Sequence, residues 1–326
     1  EFRRVLFRSQ VALVGVAAFM LFQAKRPARF AGLVVFAFVL TGLWQPGLKA
    51  VETARSFFGV HQVVETADGS HRLLFHGTTI HGAERIRAEP GKTLPARPEP
   101  LTYYYFGGPL SEALDAAHVA QRNIAQIAAV GLGTGSLACH KRDGERWTFF
   151  EIDPEVIRIA RDPNRFHFLS ACAPRERIVA GDARLTLAAS SGRYDVIVLD
   201  AFSSDAIPVH LLTREAVAGY LGKLNPHGMI AMHVSNRHME LARVVAAVGA
   251  AEGLVAYGKQ DDQANDFVKD FRANAEVVAL ARNVADLGDL PQRRGWRKLS
   301  ATPDVPAWTD DYSDVLRAIL RKKLSW

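Results

Sequence analysis

The chain has 326 residues, 48% hydrophobic and 23% charged, with a formal net charge of +6. That composition supports a packed core and excludes wholesale disorder. The basic excess is scattered along the chain, without aromatic–basic interleaving, which argues against a nucleic-acid partner. Two cysteines, Cys139 and Cys172, lack metal-ligand spacing and give no disulfide framework.

The first fifty residues differ from the rest. Val11–Phe22 is almost wholly apolar, Gln23–Arg29 is a basic break with a proline, and Phe30–Trp44 is apolar again. Neither run alone reaches the roughly 20 residues of a full span, but each does so by recruiting flanks such as Leu6–Gln10 or Gln45–Leu48. We expect one or two transmembrane helices here, the last of a longer set. The chain opens on Glu1, so the expectation is a fragment, with Glu1–Ser9 foreign to the natural protein.

From Arg55 the composition is that of a soluble domain. Gly59–Val64 and His71–His76 flank Asp68-Gly69, a hairpin signal. Arg87–Pro100 holds four prolines and reads as a loop. Leu110–Gln126 has broadly helical apolar spacing. A strand–helix alternation follows, with strands at Ile124–Val130, Trp147–Ile152, Arg177–Val179, Tyr194–Leu199, Met229–Val234 and Glu276–Ala281, and a helix at Leu212–Leu224. Such alternation predicts an α/β, Rossmann-like, doubly wound parallel sheet. The expected segments are a membrane region over 1–54, a small β-domain over 55–108 and the Rossmann-like domain over 109–326.

Gly131, Gly133 and Gly135 sit between a strand and a helix, where glycines let the backbone approach a ligand and the helix N-terminus offers free N–H groups. Glu151 ends the next strand, twenty residues after Gly131, where an acid can bind both ribose hydroxyls. These features suit a nicotinamide cofactor as well as an adenosyl-sulfonium one. The spacing G-x-G-x-G, with Ser136 where dinucleotide sites carry glycine or alanine, favours the sulfonium. Asp182, in Gly181-Asp182-Ala183 after a third strand, can accept from the exocyclic amine of adenine. Asp200 ends the next strand, and Asp205 follows on its loop; two such carboxylates can hold an amine and take its proton. Among Tyr103, Tyr104 and Tyr105, we expect Tyr104 to contact a cationic substrate; three adjacent tyrosines also suit β-strand packing.

Taken together, Arg55–Val60, His76–Gly82, Val130–Gly135, Phe150–Pro154, Gly181–Arg184, Leu199–Pro208 and Trp308–Ser313 resemble the spermidine synthase-like proteins. The resemblance is especially to the kind in which a major-facilitator-type helical region precedes the synthase domain. It covers roughly Arg55 to Ile319. It implies a small N-terminal β-domain over a Rossmann-like domain, and an aminopropyl group moved from decarboxylated S-adenosylmethionine to an amine. By resemblance Asp200 is the general base, Glu151 binds ribose, Asp182 and Ala183 bind adenine, and Asp205 binds the amine. No metal is expected, and a homodimer is compatible with the resemblance.

Two departures stand out. Typical members carry Asp-Gly-x-x-Gln in the N-terminal hairpin, where this chain has His76-Gly77-Thr78-Thr79-Ile80. Their aspartate loop reads Asp-x-x-Asp-Pro, whereas four residues separate Asp200 from Asp205. A methyltransferase using ordinary S-adenosylmethionine, or an adenosyl-ligand sensor fused to a transporter, therefore stay open. Two spans with Lys25–Arg29 cytoplasmic would put the soluble domain outside. The donor requires the opposite, so the expectation is an inner-membrane protein with its catalytic domain in the cytoplasm.

Overall fold

The computed structural model describes residues 26–43, 48–121, 123–202, 208–261 and 271–324. The apolar run Val11–Phe22 and the candidate Asp205 lie outside the described residues. The chain divides into two compact units, Glu1–Lys49 and Ala50–Trp326.

In the first unit, α1 (Pro27–Leu43) begins on a proline, which suits a first helical turn. Its 17 residues rise about 26 Å, short of a hydrocarbon core of about 30 Å. Among the described residues no helix is long and apolar enough to cross a membrane. Leu48 does not extend this helix. It opens β1 (Leu48–Ser56), so the N-terminal sheet starts inside the segment assigned to the membrane region.

The second unit opens with a four-stranded sheet in sequential order: β1, β2 (Gly59–Thr66), β3 (His71–His76) and β4 (Thr79–Arg85). The Asp68-Gly69 turn is formed as expected, with Gly69 at φ +64° and its N–H bonded to the Thr66 carbonyl at 2.8 Å. Val63 pairs with Leu74 and Val64 with Leu73, all buried. Next, α2 (Pro109–Ala120) ends earlier than its apolar spacing predicts. The Asp195 carboxylate accepts from the N–H groups of Ala125 and Gln126, at 2.8 and 2.9 Å, and draws the chain out into β5 (Gln126–Val130).

The core is an eight-stranded sheet ordered β12-β10-β11-β9-β8-β5-β6-β7. These strands are β6 (Arg146–Glu151), β7 (Arg177–Ala180), β8 (Tyr194–Leu199), β9 (Leu224–His233), β10 (Val255–Asp261), β11 (Ala275–Ala281) and β12 (Arg297–Leu299). From β9 to β7 the pairing is parallel, in the order of a doubly wound fold. The remaining edge is antiparallel, which corrects the all-parallel expectation. Its β10 alternates buried and half-buried residues, and β12 has three residues, so neither gives the continuous apolar run of a buried parallel strand. On β8, Val196 and Val198 enter one core layer while Ile197 and Leu199 enter the other. Helices α3 (Pro154–Arg161), α4 (Phe168–Cys172), α5 (Ala183–Ala189), α6 (Arg214–Lys223), α7 (Ala242–Ala251) and α8 (Val315–Leu324) complete the unit.

The cysteines require a correction. Cys139, in the short 3-10 turn Ser136–His140 after the glycine loop, forms a disulfide with Cys172 at the end of α4, with Cα atoms 4.9 Å apart. A separation of 33 residues carries no sequence signal; only the fold brings the two together.

Candidate active site

The neighbours β5 and β8 send their chains to opposite sides of the sheet, and such a switch point leaves a crevice at the C-terminal strand ends. Gly131 follows β5 and Asp200 follows β8. A Cβ on Gly131 would stand 2.2 Å from the Asp200 carbonyl oxygen, and its φ is +95°, so glycine is required there by both contact and conformation. A cavity of about 480 Å³ opens at this point, a size typical of small-ligand sites.

Of the residues singled out in the sequence, Gly131, Gly133, Glu151, Asp182, Ala183, Asp200 and Tyr104 all line this one cavity. Gly135 does not; a Cβ there would meet Leu169 of α4. The Gly133 position faces the N-terminal sheet, since its Cβ would lie 2.7 Å from the His81 carbonyl oxygen.

Glu151 is 9% exposed. Its carboxylate accepts from the N–H groups of Leu132 and Asp153, both at 2.9 Å, which ties the glycine loop to the end of β6. Burial pushes its carboxyl above the usual range, and the two N–H bonds oppose that only in part. Asp153 caps α3 by accepting from the Glu155 N–H and also accepts from Ser56 Oγ and His61. Asp182 caps α5 through the Leu185 N–H at 3.1 Å, and its other oxygen lies 3.2 Å from His210 Nε2. Its helix is anchored by Arg184, which donates to both oxygens of Asp310 at 2.7 and 2.6 Å. That contact accounts for part of the Trp308–Ser313 motif. The Arg184 guanidinium, with Thr213, holds the Asp310 carboxyl down to about 2.

Asp200 is buried, and each of its carboxylate oxygens has one hydrogen-bond partner. Tyr104 donates its hydroxyl to Oδ2, and His233 Nδ1 lies 2.6 Å from Oδ1. Burial and the Asp200 charge raise the Tyr104 phenol well above its ordinary value, so it stays a donor. None of the three tyrosines lies in a strand, and each has its own contact. Tyr103 stacks on His233, Tyr104 binds Asp200, and Tyr105 binds Asp261. Before them Thr102 adopts φ +56°, unusual for a β-branched residue, and is held there by bonds to Phe271 and Ala273.

Sequence reasoning missed His61, His76, His81 and His210, which also line the cavity, and His233 beneath it. A signal for His233 was available: it ends β9, the parallel neighbour of the strand that ends in Asp200. The other histidines come from the hairpins and a loop, where no periodicity marks them. Among the described residues no group of histidine, cysteine or acidic side chains is arranged to hold a metal.

No family model matches the chain. It is 27% identical over 198 residues to an N-terminal histidine N-methyltransferase of Emericella nidulans, covering 57% of this chain and 34% of the relative. It is 36% identical over 96 residues to a polyamine aminopropyltransferase of Vibrio vulnificus, covering 28% of this chain and 31% of the relative. The chain thus spans about a third of the length of the curated relatives it matches. A probable spermidine synthase from Corynebacterium glutamicum superposes with a TM-score of 0.56 at 16% identity, covering 81% of this chain and 97% of that one. Spermidine synthase from Thermotoga maritima gives 0.50 at 13% identity, covering 85% and 88%. A spermidine synthase in complex with the transition-state analogue AdoDATO gives 0.50 at 12% identity, covering 85% and 87%.

The fold is the one these spermidine synthases share. In each of these three, the overlap takes in at least four-fifths of both chains.

Proposed function

We propose that this chain is a transferase using an adenosyl-sulfonium donor, and that it moves an aminopropyl group from decarboxylated S-adenosylmethionine to an amine. The observation that carries the reading is the position of the Asp200 carboxylate. It lies at the C-terminal end of β8, in the same cavity as Glu151 and the glycine loop. Glu151 binds the ribose, Asp182 and Ala183 border the adenine, and Asp200 faces the amine. The amine nitrogen attacks the methylene next to sulfur, and the C–S bond breaks as the N–C bond forms. The sulfonium leaves as neutral methylthioadenosine, and the proton lost by nitrogen goes to Asp200. The sulfonium already makes the carbon electrophilic, so the protein need only position the partners and accept the proton. Asp205 and Tyr104 complete the amine side on this reading, although Tyr104 acts through Asp200.

A second reading is methyl transfer from ordinary S-adenosylmethionine. The longer of the two curated matches, to a methyltransferase, favours it, as does the loss of the hairpin acid at His76. One experiment separates the two. The full chain is offered each donor with a panel of amines, and the nucleoside product is identified. Methylthioadenosine supports aminopropyl transfer, S-adenosylhomocysteine supports methyl transfer, and the absence of both with tight adenosyl-ligand binding would favour a sensor.

A further inference from the structure

We propose that His233 is a positioning residue that clamps the Asp200 carboxylate in one orientation, through an imidazole whose far nitrogen is held by Ser235. The inference rests on the transferase reading for its consequence in turnover, but its geometry stands independently.

His233 Nδ1 is 2.6 Å from Asp200 Oδ1, and its Nε2 is 2.6 Å from Ser235 Oγ. Ser235 Oγ in turn accepts from the Glu276 N–H at 2.7 Å. An ionised carboxylate only accepts, so the proton of a neutral imidazole must sit on Nδ1. Nε2 then needs a donor, and the Ser235 hydroxyl supplies it while its lone pair takes the Glu276 N–H. Every polar atom in the chain from Glu276 to Asp200 is satisfied with no additional proton.

The ring is also held by its faces. Tyr103 stacks on it with centroids 4.3 Å apart, and Phe202 lies 4.9 Å away. With Tyr104 on Oδ2 and His233 on Oδ1, the carboxylate cannot rotate without breaking a hydrogen bond. Each oxygen keeps a further lone pair, so the carboxylate can still take a substrate proton. A fixed base facing the acceptor is worth more in the transition state than in binding, because it lowers the reorganisation needed at the moment of transfer. His233 should therefore act on turnover and leave donor affinity largely alone.

The test uses the full chain and two variants. His233→Leu removes both hydrogen bonds. His233→Asn offers an amide N–H near the Nδ1 position and so keeps the bond to Asp200. We expect kcat to fall on the order of 10- to 100-fold in His233→Leu, the range for a hydrogen bond to a charged group. We expect His233→Asn to recover most of that loss, with methylthioadenosine affinity within about threefold of wild type in both. Imidazole 15N spectra of the wild type give a readout that needs no turnover, and the Nδ1-protonated tautomer is expected. An Nε2-protonated ring in wild type, equal kcat in all three proteins, or parallel losses of kcat and affinity in both variants would overturn the proposal. If wild type shows the Nδ1–H tautomer but turns over no donor, the transferase reading fails and the clamp remains.

Discussion

Asp153 Oδ2 lies 2.7 Å from His61 Nε2, across 92 residues of sequence. The contact pins the N-terminal sheet to the cap of α3, two residues beyond Glu151. Burial pushes the Asp153 carboxyl up, but bonds from Ser56, the Glu155 N–H and His61 together outweigh it and hold it below the usual range. A carboxyl depressed in the folded state contributes stability above its unfolded value of about 3.9, and loses it as pH falls through the folded value. Asp153→Asn should therefore lower stability at neutral pH and flatten its acid dependence below about pH 4. Urea titrations at several pH values measure both; an unchanged acid profile would remove Asp153 from this role.

Glu151→Ala should weaken methylthioadenosine binding by about 1.5–3 kcal/mol, as for a hydrogen bond to a charged group. Because burial raises this carboxyl, the ionised form that the proposed ribose contact requires is lost on acidification earlier than for an ordinary glutamate near 4.3. Calorimetry as a function of pH should show wild-type affinity declining above that range, and the decline should be absent in Glu151→Ala.

The Gly133 position has φ +54°, and a Cβ would press on the His81 backbone. Gly133→Ala should cost about 1–2 kcal/mol from conformation alone, and more from the contact. Its cause is the packing of β4 on the glycine loop rather than direct occupation of ligand space. The melting temperature should therefore fall even without ligand, and wild-type melting would show that the loop tolerates a side chain.

The Cys139–Cys172 disulfide fixes the turn after the glycine loop to α4. In the chain-entropy account a closed loop of this length contributes about 3–4 kcal/mol. Denaturation with and without reductant, against Cys172→Ser, should show a loss of that order in both the reduced and the substituted protein. Cytoplasmic thiols are kept reduced, so the state of this pair depends on the compartment. Free-thiol labelling of protein from intact cells reports which state is present.

Much of the parallel half was legible because β5, β6 and β8 are largely apolar and lead into Gly131, Glu151 and Asp200, which line the cavity. Of the antiparallel edge, β11 was legible as a strand at Glu276–Ala281, but β10 was not, since it reads Val-Ala-Tyr-Gly-Lys-Gln-Asp, a half-buried pattern that resembles a surface loop. Asp182 illustrates a mixed outcome. It lines the cavity, yet one of its oxygens caps a helix, the ordinary use of an aspartate after glycine. What no local pattern contained was the convergence of β2, β3 and β4 histidines on the site, because it depends on how one sheet packs over another.

Asp200→Asn separates an enzyme from a sensor. Asparagine keeps the shape and loses the proton acceptor. Its carbonyl can still accept from Tyr104, while its amide donates to His233 Nδ1; the imidazole then carries its proton on Nε2 and donates to Ser235 Oγ, whose second lone pair is available. The hydrogen bonds between positions 200, 233 and 235 can thus reverse direction, so the variant should fold and bind adenosyl ligands with little loss. Turnover should fall by about 10²–10⁴, the usual cost of removing a general base. The defect should ease at high pH, where more of the amine acceptor is already deprotonated. Steady-state rates with decarboxylated S-adenosylmethionine across pH, alongside calorimetry with methylthioadenosine, give both quantities on one protein. Equal turnover by wild type and Asp200→Asn would mean that the proton leaves by another route, and would move attention to Asp205.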